Sequence, residues 1–203
     1  MTVSLHVLVE GSSDRAAVDT LATRRGLDLA GLGVAVVQMG GAGGAHRAIA
    51  AALASGVGVC GLYDVGEQGF IVRALVRHGL GTMGDRAELA ARGFHACERD
   101  LEDELIRALG VEATLDVVEQ QGDLDRFRAF SAQPKWRGRP AADRLRRFCG
   151  TTAGRKVRYA RGLAAATPSE PPPIRALLDG VAAHDLAAAS RTRRADQTGT
   201  AST

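Results

Sequence analysis

Residues 5–14 read Leu5-His6-Val7-Leu8-Val9-Glu10-Gly11-Ser12-Ser13-Asp14. A short apolar run is closed by a carboxylate and a glycine, and a second carboxylate follows four residues after the first. A run of this length, bounded by turn residues, suits a buried strand. Gly11 allows a tight turn, and Ser12 or Ser13 offers a cap for a helix. Ala16, Ala17, Leu21 and Ala22 then keep helical spacing over residues 12–25. Two readings of the acids stay open on this stretch alone. Glu10 and Asp14 meet at one site, or Asp14 is a first-turn acid favoured by the helix dipole and Glu10 is incidental.

The same alternation continues outward. Apolar runs at Val34–Met39, Val57–Tyr63 and Gly93–Cys97 are separated by helix-like stretches at Ala45–Leu53 and Ile71–His78, and residues 101–109 follow as another helix. Continuous short runs alternating with helices predict an α/β fold, Rossmann-like, with a central, mostly parallel sheet of about four strands flanked by helices. Ligands of such sheets bind beyond the carboxyl ends of the strands. Glu10, Asp64 and Asp100 all fall there. Asp64 is a candidate because a buried strand does not readily end in an acid without a cation, although a turn aspartate explains it as well. Glu67 reads as the first-turn acid of the next helix. Asp100 either caps the helix at 101 with Asp103 as its partner, or shares a metal with Glu102 of the first turn. Carboxylate oxygens suit Mg²⁺, and paired ions suit in-line phosphoryl displacement. The glycines at 40, 41, 43 and 44 read as a tight strand-to-helix turn in preference to a phosphate cradle.

The chain has 203 residues, 45% of them hydrophobic but only 4% aromatic, so its core is built of Ala, Leu and Val. None of its apolar runs approaches the roughly 20 residues of a membrane helix, and the N-terminus lacks a basic signal region; no membrane role is expected. Three cysteines without a CxxC pair fit a reducing, cytoplasmic setting. Residues 1–122 hold 10 basic and 16 acidic residues, net −6, whereas residues 123–203 hold 16 basic and 7 acidic, net +9. All six prolines lie beyond residue 122. We therefore expect a metal-binding domain over 1–122 and a basic helical extension over 123–189, with helices at 141–149, 153–166 and 174–189. A disordered tail is expected over 190–203. Lys135 and Arg137 flank the single tryptophan, and Arg155 and Arg158 belong to a helical basic stripe. These are candidates for phosphate contacts with nucleic acid; a Trp anchor and a solvated helix face are the competing readings.

Four strings carry a resemblance. VLVEGSSDRAAVDTLA (7–22) is similar to the opening motif of TOPRIM domains, and GLYDVGE (61–67) to their second acidic motif. CERDLEDELIRALG (97–110) resembles the DLE segment of the overcoming-lysogenization-defect (OLD) nuclease branch, and GRKVRYARGLAAAT (154–167) its lysine-bearing helix. The resemblance implies a TOPRIM fold holding one or two Mg²⁺ or Mn²⁺ ions. It implies Glu10 as metal ligand or acid/base, with Asp14, Asp64, Asp100 and Glu102 as further ligands. Lys156 would stabilise charge on the scissile phosphate. The implied activity is endonucleolytic or nicking hydrolysis of DNA. Primase-like nucleotidyl transfer is one alternative, and a non-catalytic nucleic-acid-binding partner of a separate ATPase is another. Two departures stand out. The second acid of the DxD-type motif is replaced by Gly66, and the 203 residues contain no GxxxxGK[ST] phosphate loop, so the resemblance implies a free-standing protein or one working with a separate ATPase.

Overall fold

The structure, a computed structural model, describes residues 2–81, 85–151 and 153–184. The expected tail at 190–203 and the last residues of the expected 174–189 helix lie outside the described residues. The chain opens with β1 (Leu5–Val9), α1 (Ser12–Arg24), β2 (Val34–Gln38), α2 (Ala45–Ala54) and β3 (Gly58–Asp64). It continues through α3 (Gln68–Arg77), α4 (Arg86–Ala91), β4 (Phe94–Cys97) and α5 (Leu101–Leu109). Four more helices follow: α6 (Val111–Gln120), α7 (Leu124–Ala132), α8 (Ala141–Cys149) and α9 (Ala153–Ala166). A last helical run covers 172–184. The apolar runs are the four strands, and all pair in parallel in the order β2-β1-β3-β4.

Alternation along the strands sorts their side chains between two cores, as the two-residue period of a strand requires. Val7 and Val9 of β1 and Cys60 and Leu62 of β3 face one cluster, with Leu21, Leu105, Leu145, Phe148, Tyr159 and Leu163. Leu8 and Tyr63 face the other, with Ile49, Ile71, Leu75 and Leu89. The first face is covered by α1, α5, α6, α8 and α9, the second by α2, α3 and α4. Helices beyond residue 122 thus share a core with the sheet, and α1 against α9 is the most extensive helix pair. The strands β1 and β3 approach so closely at Gly61 that an added Cβ would lie 2.3 Å from the Leu8 carbonyl oxygen.

From β1 the chain goes to β2 on one side and then crosses to β3 on the other. The topological switch therefore lies between the carboxyl ends of β1 and β3, where open α/β sheets bind their ligands. Glu10 follows β1 directly and Asp64 ends β3.

Candidate metal centre

Glu10 is fixed through its backbone. Its carbonyl accepts from the amides of Gly40 (3.1 Å) and Gly41 (3.2 Å), two residues at positive φ (72° and 96°). The glycine cluster therefore turns β2 into α2 and spends these amides on Glu10, in line with the turn reading. Helix α1 starts differently from expectation. Gly11 is its cap, neither serine side chain caps it, and the Asp14 carboxylate accepts from the Gly11 amide at 2.8 Å. The reason is that Glu10-Gly11 already turns away from the strand, so Ser12 and Ser13 are in the helix.

Glu10, Asp64 and Glu67 each place a carboxylate oxygen within 4.8 Å of the other two. Glu67 was expected to be a helix-start acid. It does stand at a helix start, ending the 3-10 turn Val65–Glu67 as the N-cap residue of α3, but its side chain caps nothing and its carboxylate joins Glu10 and Asp64. It supplies an acid one position beyond Gly66. The other carboxylates stand beside this triad. Burial, then the charges of Glu10, Asp100, Asp14 and Glu67, push the Asp64 carboxyl up to about 8. Burial raises Asp14, offset in part by Lys156 and by the Gly11 amide. Glu102, in the first turn of α5, is 2% exposed. Its burial outweighs the attraction of Lys156 and, with Asp100 and Asp14, pushes it up to about 7.

Lys156 on α9 reaches into this group, its Nζ 3.5 Å from Glu102 Oε1. Burial works against its charge, but Glu102, Asp14 and Glu10 outweigh it and hold the ammonium above its ordinary value.

Asp100 is placed differently from a free ligand. One oxygen caps α5 by accepting from the Asp103 amide at 2.9 Å. The other accepts from Arg146 Nε (2.7 Å) and Nη2 (2.5 Å) on α8. The capping reading thus describes its geometry, with an added guanidinium that lies 46 residues away in sequence. Arg155 and Arg158 are not an open basic stripe either. With Arg126 they surround the fully buried carboxylate of Asp123, which also accepts from the Tyr159 hydroxyl at 3.1 Å. This cluster was not anticipated from the sequence, where residue 122 looked like a boundary. Lys135 and Arg137 remain exposed on the loop between α7 and α8.

The residues present fit a hard divalent cation. All donors are carboxylate oxygens, the preferred ligands of Mg²⁺ and Mn²⁺. The acids of the triad repel one another, a repulsion that a cation would relieve.

Residues 4–65 match the family model described as "Overcoming lysogenization defect protein-like, TOPRIM domain". No curated protein matches the chain. Among solved structures, the C-terminal region of the Burkholderia pseudomallei OLD protein is similar at 20% identity and a TM-score of 0.64, over 91% of this chain and 100% of that one. The C-terminal region of the Xanthomonas campestris pv. campestris OLD protein is similar at 20% identity and a TM-score of 0.67, over 95% and 97%. A second structure of that region gives 21% identity and 0.67, over 93% and 98%. At these identities the likeness is one of fold. The TOPRIM match supports metal-dependent processing of nucleic acid as the general role. Residues 4–65 thus carry a match to the OLD-like TOPRIM domain, and the chain as a whole has the fold of the OLD C-terminal region.

Proposed function

We propose that this protein hydrolyses phosphodiester bonds in DNA, cutting or nicking it with Mg²⁺ or Mn²⁺ held by Glu10, Asp64 and Glu67, with Asp14 and Glu102 alongside. The observation that carries the reading is the convergence of three carboxylates at the switch point of the sheet, beside a lysine on α9. A divalent ion bound there supplies a water activated near neutral pH and a positive field for the phosphate.

The side chains contribute the rest. Asp64 holds a proton at neutral pH without a cation, and it must release that proton to act as a ligand. Glu10, at the carboxyl end of the interior strand β1, accepts a proton from the attacking water. Lys156 remains an ammonium and neutralises charge developing on the scissile phosphate, a stabilisation in a partly dry site that is worth more than in water. Glu102 holds Lys156 in place. A cytoplasmic setting and a separate ATPase partner belong to the same proposal. The three free cysteines are buried, and burial pushes Cys60 and Cys149 up to about 12, so neither is a nucleophile.

The test is plasmid nicking in Mg²⁺ and in Mn²⁺ with wild type, Glu10→Ala and Asp64→Ala. Nicking by wild type alone is expected. Equal nicking by all three rejects the site.

A further inference from the structure

The loop between α7 and α8, residues 133–140, gathers three exposed cations in five residues. Many cations around the metal centre are spent on carboxylates of the same chain: Arg99 on Asp143 and Asp103, Arg146 on Asp100, Lys156 on Glu102, and Arg126, Arg155 and Arg158 on Asp123; Arg147 on α8 and Arg161 on α9 are single exposed exceptions. Lys135, Arg137 and Arg139 are exposed and form no ion pair among the described residues. No acid occurs in the sequence between Asp125 and Asp143, and among the described residues only Arg139 of the three is felt by a neighbouring carboxylate, that of Asp143.

The loop is also built. The amides of Trp136 and Arg137 both donate to the Gln133 carbonyl at 2.9 Å, and that of Arg139 to the Trp136 carbonyl at 3.1 Å. Gly138 takes the left-handed turn, φ 82°. Arg137 Nη2 donates to the Ala132 carbonyl at 3.2 Å, and Arg139 Nε to the Lys135 carbonyl at 3.3 Å. Trp136 packs on Phe130 with ring centroids 5.0 Å apart, and Phe130 in turn on buried Phe148. Lys135 Nζ and the Arg139 guanidinium lie 5.7 and 5.8 Å from the centre of the Trp136 ring. The tryptophan is thus a post that pre-orders cations whose side chains would otherwise lose rotamer freedom on binding.

The loop leads directly into α8. That helix carries Asp143, bonded to Arg99 at 2.6 Å, and Arg146, bonded to Asp100. Its cations therefore continue, on the α5–α8 side, from the rim of the acidic centre.

We infer that residues 133–140 form a backbone clamp that holds phosphates of the DNA substrate to one side of the cleavage site, with Lys135, Arg137 and Arg139 as the phosphate contacts and Trp136 as their support. This rests on the proposed DNA-hydrolysing function for its choice of polyanion. It names the surface that the metal centre itself does not supply, because a cluster of carboxylates repels DNA.

Binding of a labelled DNA duplex to the full chain, followed by anisotropy in EDTA across a salt series, reads the clamp without any catalysis. The variant Lys135→Ala/Arg137→Ala/Arg139→Ala is expected to bind about tenfold or more weakly at low salt and to flatten the log–log salt slope by about two to three units, one per lost phosphate contact. A variant removing equal charge on the other sheet face, Arg47→Ala/Arg73→Ala/Arg77→Ala, is expected to keep the wild-type slope to within about one unit. The single tryptophan of wild type should change its fluorescence on adding DNA. Equal losses in both triple variants overturn the clamp, as does wild-type affinity in the loop variant or no DNA binding by wild type. A wild type that nicks no plasmid while the loop variant still loses DNA affinity sinks the hydrolase reading and leaves the clamp standing.

Discussion

Two aspartates on opposite sides of residue 100, Asp123 buried and Asp64 half-buried, show how this chain separates structure from function. Asp123 is fully buried at the start of α7. Burial opposes its charge, but Arg126, the Tyr159 hydroxyl, Arg158 and Arg155 outweigh it and hold its carboxyl below the ordinary range. Asp64 ends β3 among Glu10, Asp100, Asp14 and Glu67 and is pushed up to about 8. The first acid has all the counter-charge it needs within the chain. The second has been given neighbours of its own sign, an arrangement that fold stability alone does not favour. Lys156 offsets part of the charge of Glu102, Asp14 and Glu10 and of Glu67. The acidic centre, unlike the Asp123 cluster, keeps a surplus of negative charge that the proposed cation would relieve.

The contrast can be broken most severely at Asp123. Asp123→Ala removes the acceptor of the Tyr159 hydroxyl and of three arginines that are exposed to different degrees, and it is expected to cost about 2–3 kcal/mol, as losing hydrogen bonds to a buried charged group does. Urea denaturation measures it; a loss under about 1 kcal/mol would make the cluster a surface feature in energetic terms. At the other centre, Lys156→Ala is expected to lower nicking turnover by about 10²–10³-fold, the usual cost of removing one group aimed at developing charge. The loss in stability should be smaller than for Asp123→Ala, because Glu102, already near 7, can take up a proton when its partner is gone. A melting-temperature drop as large as that of Asp123→Ala would make Lys156 a structural residue.

The two aspartates also pull stability in different pH windows. Asp64 at about 8 and Glu102 at about 7 are raised from their ordinary 3.8 and 4.5. Between about pH 4 and 8 the folded chain then binds more protons than the unfolded one, so these groups make stability fall as pH rises. Asp123 is lowered; its contribution is in full effect above its unfolded value and is lost only on acidification. Without metal, the melting temperature should therefore decline from pH 5 to pH 8.5, and Mg²⁺ should restore more at pH 8.5 than at pH 5. Asp64→Asn should flatten the decline. A metal-free melting temperature that rises over this range would contradict the electrostatics described. The smallest effect is expected at Arg146, whose pair with Asp100 is partly exposed on both sides. Arg146→Ala should cost no more than about 1 kcal/mol.

Much of the fold was legible because it depends on patterns that survive local detail. Short apolar runs ending in Glu10 and Asp64 mark strands β1 and β3 whatever packs on them, and parallel order follows from the intervening helices. Alternation could place the strand-end acids near one edge. It could not see the Glu67 carboxylate joining Glu10 and Asp64, since the three-residue 3-10 turn after Asp64 decides where that side chain lies. Nor could it see Arg146 at Asp100, a partner brought in by a helix 46 residues away, or the Asp123 cluster. A proline-rich, basic second half looked like an appendage; Phe148, Tyr159 and Leu163 instead fill the core under β1 and β3. Charge counting registered the surplus of arginine there but not that much of it is neutralised internally. The distinction between spent and unspent cations is a matter of tertiary geometry.

The most direct measurement is a crystal soaked in Mn²⁺ and examined by anomalous scattering. An ion bound by oxygens of Glu10, Asp64 and Glu67 at about 2.0–2.3 Å, and lost in Glu10→Ala crystals, is the predicted result. An ion held elsewhere, or a soaked crystal in which the three carboxylates bind none, would contradict the account.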